Sequence, residues 1–159
     1  MSDPLKLIAL DAEDLGILSA HMQDAVLHVG DMTYLPRERR FAAIANRFDW
    51  AAAAKAEMSG ASAGTLLRHR AALRFERVLA AKVTGIDLKD QRQTLNVLAL
   101  QFAETSAPAG TVTIVCAGGA AIRLEVECLE AELKDLGAVW AAKAMPTHDD
   151  KPPTNGKGE

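Results

Sequence analysis

The sequence predicts an α+β domain built on a mostly antiparallel sheet of about six to seven strands. Short apolar segments separated by turn residues fill the middle of the chain, and helical patterns stand before and after them. No glycine-rich strand-to-helix crossover of a parallel nucleotide-binding sheet is present. The 159 residues, 49% hydrophobic and 25% charged, have the composition of one globular domain, which we place over 1–145.

The N-terminal segment predicts a short strand followed by a helix. The apolar run Leu5–Leu10 suits a strand, and Asp11 comes directly after it as a candidate N-cap. Leu15, Leu18 and Met22 then recur at the spacing of one face of an amphipathic helix.

The next segment predicts a β-hairpin. Met32–Leu35 and Arg40–Phe48 are the two strands, and the polar, proline-led sequence between them is typical of a turn. Gly30 and Asp31, just before the first strand, indicate a bulge or kink.

The middle of the chain predicts a mobile loop and two further strands. Helix-forming residues followed by a Ser/Gly run indicate a frayed helical turn and a mobile loop near 51–67. Leu73–Val83 alternates as one half-buried strand does, and Thr94–Phe102 is a strand with apolar residues on both faces.

The clearest local pattern is a second hairpin. Thr111–Ala117 and Ala120–Val126 flank Gly118 and Gly119, and a two-glycine loop supplies the positive φ angles of a tight turn.

A C-terminal amphipathic helix is predicted after this hairpin. Val126, Leu129, Leu133 and Leu136 repeat at helical spacing, and Gly137 is a plausible C-cap. Antiparallel strands closed by such a helix resemble, in element order alone, the split barrel of pleckstrin-homology domains.

The residues that follow this helix lead to two expectations. Trp140 should pack back on the sheet, because an indole buries a large apolar area. Residues 146–159 carry no large apolar side chain, so we expect a disordered tail.

Charge and hydropathy exclude several classes of function. The net charge of −3 and isoelectric point near 5.8 give no global attraction to nucleic acid or to anionic lipid. No apolar run approaches the roughly 18–20 residues of a transmembrane helix. Met1–Pro4 lacks the basic start of a signal peptide, so we expect a cytoplasmic protein.

The chain lacks the motifs of the common catalytic, phosphate-binding and zinc sites, so we expect no cofactor and no metal. Its four histidines are scattered, and the acids after Leu10 are explained by a helix start. Cys116 and Cys128 lie in apolar stretches, which favours buried thiols over the alternative of a disulfide. These observations favour a non-catalytic protein.

Clustered arginines are the candidate site. Four lie in or beside the first hairpin, and four more, Arg68, Arg70, Arg74 and Arg77, lie at or near the later strand, which makes eight of the 18 basic residues. If the strands are neighbours, they form a basic face that could bind a phosphate, a carboxylate or an acidic partner. The alternative is solubilising charge at strand edges. The candidate binding residues are Arg37, Arg39, Arg40, Arg47, Arg70 and Arg74.

Three functions fit this pattern. The leading hypothesis is a non-catalytic interaction module for a protein partner or a second copy of the chain, acting through the basic face or an exposed hairpin edge. The alternative is a binder of small anionic molecules, or an enzyme, that uses the arginine cluster. Nucleic-acid binding through the same face is a weaker third option, because aromatic stacking residues are scarce.

Three stretches of the chain resemble a known family. They are LKLIALDAEDL (Leu5–Leu15), VGDMTYLPRERRFAAIANRFDW (Val29–Trp50) and AGTVTIVCAGGAAIRLEVECLEAELKDLG (Ala109–Gly137). These stretches resemble the alphaproteobacterial family called domain of unknown function 2948, over most of the chain up to about Trp140. The resemblance implies a bacterial cytoplasmic origin and brings with it no activity, ligand or catalytic residue.

Overall fold

The computed structural model describes residues 4–58 and 67–141 of the chain. This part forms a nine-stranded antiparallel sheet with two short helices. The helices are α1 (Ala12–Met22) and α2 (Trp50–Met58). The strands are β1 (Lys6–Ala9), β2 (Val26–Leu35), β3 (Arg40–Phe48), β4 (Leu67–Phe75), β5 (Val78–Thr84), β6 (Thr94–Glu104), β7 (Gly110–Cys116), β8 (Ala121–Val126) and β9 (Ala131–Ala141).

The strand order in the sheet is β1-β9-β4-β3-β2-β6-β7-β8-β5. The sheet bends at strand β2, because the pairing of β2 with β3 shifts register between Leu27 and Met32. Its first half pairs with both β3 and β6, whereas its second half pairs with β3. The sheet curls, so that β5 returns to the first hairpin, where the Val78 amide donates to the Arg39 carbonyl at 2.8 Å.

The core lies between the curled sheet and α1. Asp11 caps this helix by accepting a hydrogen bond from the Asp14 amide at 2.8 Å, as the sequence predicts. The predicted apolar face of Leu15, Leu18 and Met22 is fully buried. Ser19 ties the helix to β6, because its Oγ accepts a hydrogen bond from the Leu100 amide at 2.9 Å.

Both predicted hairpins are confirmed. Strands β2 and β3 pair on either side of the proline-led turn, with the predicted irregularity near Gly30. Strands β7 and β8 pair around Gly118 and Gly119, whose φ angles are +76° and +82°.

The predicted C-terminal helix is wrong. The segment forms strand β9, which pairs with β1 on one side and β4 on the other. The buried positions alternate as Leu129, Ala131, Leu133 and Asp135, the period of a strand. The domain is therefore mostly antiparallel sheet and not the α+β fold expected, and the pleckstrin-homology order is not supported.

The single strand predicted over Leu73–Val83 is also wrong. It is two strands, β4 and β5, which break at Arg77 with φ +61° and lie in different parts of the sheet. Buried residues alternate up to Phe75 and resume at Val78, so a two-residue break left little trace in the pattern.

Some predictions fall beyond the described part of the chain. The Ser/Gly run at 59–66, the tail at 146–159 and the side-chain packing of Trp140 lie outside it, so these and the domain boundaries stay predictions. Within the described residues, neither helix is long and apolar enough to cross a membrane.

Candidate functional site

A charged groove of about 350 Å³ lies where the β2–β3 turn meets the β4–β5 turn and the β8–β9 connection. We call it the arginine groove. It is lined by Glu38, Arg39, Arg40, Arg74, Glu76, Arg77 and Glu130.

Two of its arginines have left-handed backbone conformations. Arg39 has φ +54° and closes the β2–β3 turn, where its amide donates to the Pro36 carbonyl at 3.2 Å. A type I turn followed by one left-handed residue is a common hairpin loop, and glycine is the usual residue there. Arg77 has φ +61°, and its carbonyl accepts from the Glu127 amide at 2.9 Å.

Ion pairs in the inner part of the groove are short and partly shielded. The carboxylate of Glu76 lies 2.8 Å from Arg40 Nε and 3.2 Å from Arg74 Nε. Arg74 also donates to Glu132 at 2.8 Å. The two glutamate side chains are only 16% and 19% exposed, so these pairs fix the positions of Arg40 and Arg74.

Ion pairs at the rim are open to solvent. Arg39 contacts Glu127 at 2.9 Å, and Arg77 contacts Glu130 at 3.5 Å. All four side chains are between 39% and 59% exposed. Exposed pairs contribute about 0–1 kcal/mol, so the rim arginines can exchange their partners at little cost.

The predicted site residues are only partly brought together. Arg39, Arg40 and Arg74 line the groove on adjacent elements, but three glutamates share the lining, so the groove is a set of ion pairs and not a uniformly basic face. Arg37 is exposed on the turn and Arg70 is exposed on β4, both outside the groove lining. The predicted set missed Arg77, which belongs to the lining.

Arg47, the sixth predicted residue, is buried in a separate polar cluster. Its guanidinium binds Asp135 in a bidentate manner, with Nε at 2.9 Å from Oδ1 and Nη2 at 2.8 Å from Oδ2. Asp135 Oδ2 also accepts from the Leu5 amide at 2.8 Å, which ties the N-terminal segment to β9.

His69 extends this cluster to helix α2. Its Nε2 lies 2.8 Å from Asp49 Oδ2, and its Nδ1 lies 3.4 Å from Asp135 Oδ2. Asp49 Oδ1 accepts from the Ala52 amide at 2.9 Å and so caps α2. The side chains are between 1% and 7% exposed, which closes the cluster to a substrate. Its role is to join β3, β4, β9 and α2.

The alternation of β3 carried a signal for this cluster. Arg47 stands on the same strand face as Phe41, Ala43 and Ala45, all of which are buried. Its partner Asp135 could not be identified, because on the predicted helix this carboxylate would stand opposite the apolar face of Leu129, Leu133 and Leu136.

Burial and neighbouring charges shift the pKa values of Asp135, His21 and Cys116. Burial alone would raise the pKa of Asp135, but the hydrogen bonds from Arg47 and the Leu5 amide hold it below its ordinary value. Burial and the nearby charge of Arg47 lower the pKa of His21. Burial raises the pKa of Cys116 to about 11, as expected of an inert thiol, and Cys128 is a half-buried free cysteine.

The described residues contain no group of three or more His, Cys, Asp and Glu arranged to hold a metal ion. Comparison with curated proteins and with solved structures finds no significant match. The family model described as "Protein of unknown function (DUF2948)" matches residues 5–148, and the alphaproteobacterial origin stays a prediction. Since this match covers most of the sequence, the chain belongs to the DUF2948 family.

Proposed function

We propose that this protein is a non-catalytic interaction module that binds a partner protein through the arginine groove. The observation that carries the proposal is the pair of left-handed arginines, Arg39 and Arg77, lining one groove. Left-handed backbone costs a residue with a Cβ roughly 1–2 kcal/mol, which glycine avoids and asparagine reduces. Local strain of this kind clusters at functional sites.

The surroundings of these two arginines support a binding role. The Arg39 carbonyl accepts a hydrogen bond from the Val78 amide, and the Arg77 carbonyl accepts one from the Glu127 amide. These bonds hold the backbone of both arginines in place. Their side chains remain more than half exposed. An arginine whose backbone is held rigidly and whose planar cation is exposed loses little conformational entropy when it binds a charged group.

The test is to replace both rim arginines with asparagine, which tolerates the left-handed conformation. We expect the R39N/R77N variant to lose the partner while its free energy of unfolding changes by less than about 1 kcal/mol, since the lost ion pairs are exposed. R123N is the matched control, because Arg123 is an exposed arginine on β8 outside the groove lining.

The measurement is capture of partners from a native lysate of the source cell by tagged full-length protein. A partner retained by the wild type and R123N and lost by R39N/R77N supports the proposal. Amide exchange on the reconstituted complex should then be slowed around Glu38 and Arg77 in the groove lining, and not around Arg123 on β8. An unchanged set of captured proteins for R39N/R77N contradicts it.

A small anionic ligand is the second candidate for the same groove. Its volume of about 350 Å³ supports this, because it falls at the lower end of small-molecule sites, roughly 300–1,000 Å³. A melting-temperature screen with inorganic phosphate and di- and tricarboxylates separates the two. A saturable shift that is abolished in R40E favours the small molecule, and no shift favours the protein partner.

A further inference from the structure

We infer that the arginine groove binds carboxylates on an acidic segment of the partner protein. In the free protein, the side-chain carboxylates of Glu127 and Glu130 occupy the positions that the partner's carboxylates take in the complex. This inference rests on the proposed function. Glu127 and Glu130 come from the β8–β9 connection, and each one contacts a different rim arginine. The connection thus presents one carboxylate to each arginine, as an acidic segment would.

The backbone of this connection is fixed across the groove. The Glu127 amide donates to the Arg77 carbonyl, and the Glu130 carbonyl accepts from the Glu76 amide, both at 2.9 Å. A partner carboxylate therefore needs only a side-chain rotation of Glu127 or Glu130 to reach the arginine. Exchange at the rim requires no rearrangement of the sheet.

The inner carboxylates have a different role. Glu76 contacts both Arg40 and Arg74, and Arg74 is shared with Glu132. These shielded, shared contacts hold the floor of the groove. Only the rim pairs, each of low net energy, exchange with an external group.

Charge complementarity favours carboxylates over phosphate. Each rim arginine is matched with its own single carboxylate, so two separate monoanions reproduce the arrangement in the free protein. Glu38, Glu76 and Glu130 also line the groove, and they repel a phosphate dianion more strongly than a carboxylate.

Fluorescence anisotropy of labelled synthetic peptides on the full-length protein tests this inference. The probes are a peptide alternating glutamate with serine, its glutamine counterpart, and its phosphoserine counterpart. We expect the glutamate peptide to bind, to weaken as salt is added and to lose affinity on R39N/R77N, and the glutamine peptide not to bind. The phosphoserine peptide should bind no more tightly than the glutamate peptide.

The decisive variant is E127Q/E130Q, which removes the internal carboxylates. It should bind the glutamate peptide on the order of threefold to tenfold more tightly, because two exposed ion pairs no longer compete. E104Q/E125Q is the matched control, since both glutamates are exposed outside the groove lining, and it should leave the affinity unchanged. A purely structural role for Glu127 and Glu130 predicts no gain in affinity.

Several results would overturn the inference. They are equal or weaker binding by E127Q/E130Q, equal binding of the glutamine peptide, and tighter binding of the phosphoserine peptide. If no peptide binds while R39N/R77N still loses a captured partner, this inference fails and the proposed function stands. If R39N/R77N keeps every captured partner, the proposed function itself fails.

Discussion

At the scale of single residues, the two sets of arginine contacts differ in burial, and burial decides what each arginine does. The rim pair of Arg39 and Glu127 is exposed and exchangeable, whereas Arg47 and Asp135 are sealed in the core. Removing one partner of a buried ion pair leaves an uncompensated charge, which costs about 3–5 kcal/mol. We therefore expect D135N to lower the free energy of unfolding by about that amount, and E104Q, at an exposed carboxylate, to leave it nearly unchanged.

The same substitution has a defined dependence on pH. Because the folded protein holds the pKa of Asp135 below its ordinary value of 3.8, the ionised carboxylate stabilises the fold fully above that value. This contribution is lost as pH falls through the folded pKa, so the wild type and D135N should converge in stability in strong acid. Denaturant unfolding above and below pH 3.8 measures both effects. A difference that stays constant with pH would show that Asp135 does not stabilise the fold as an ion.

At the scale of secondary-structure elements, β9 shows which features could be predicted from the sequence and which could not. Leu129 and Leu133 are four residues apart, a spacing that fits both one face of a helix and one face of a strand. The buried Asp135 distinguishes the two, but its partner Arg47 is 88 residues away in the sequence, so no local pattern could show that this carboxylate is paired and buried. The hairpins were predictable because their turn residues and alternation are local. Groove membership of Arg77 was not, since it depends on contacts across the sheet.

Strand and helix make different predictions for two leucines of this segment. On a helix, Leu133 and Leu136 would share the apolar face, but on β9 they lie on opposite faces, with exposures of 0% and 44%. We expect L133A to lower the free energy of unfolding by about 2–5 kcal/mol and L136A by less than about 0.5 kcal/mol. Chemical denaturation of both variants measures the difference. Similar costs at the two positions would speak against the strand.

At the scale of the whole molecule, β9 holds the first part of the sheet together, because it stands between β1 and β4. In the described part of the chain, β1 pairs with β9 alone, and Asp135 on β9 joins the buried polar cluster. A chain ending before Ala131 exposes an edge of β4 and leaves Arg47 without its partner, so we expect no cooperative unfolding transition. The sequence predicts, by contrast, that a chain lacking only 147–159 melts at nearly the temperature of the full chain. Calorimetry of the two truncated chains checks both. A cooperative, near-native transition in the chain ending before Ala131 would mean that the sheet is stable without its C-terminal strand.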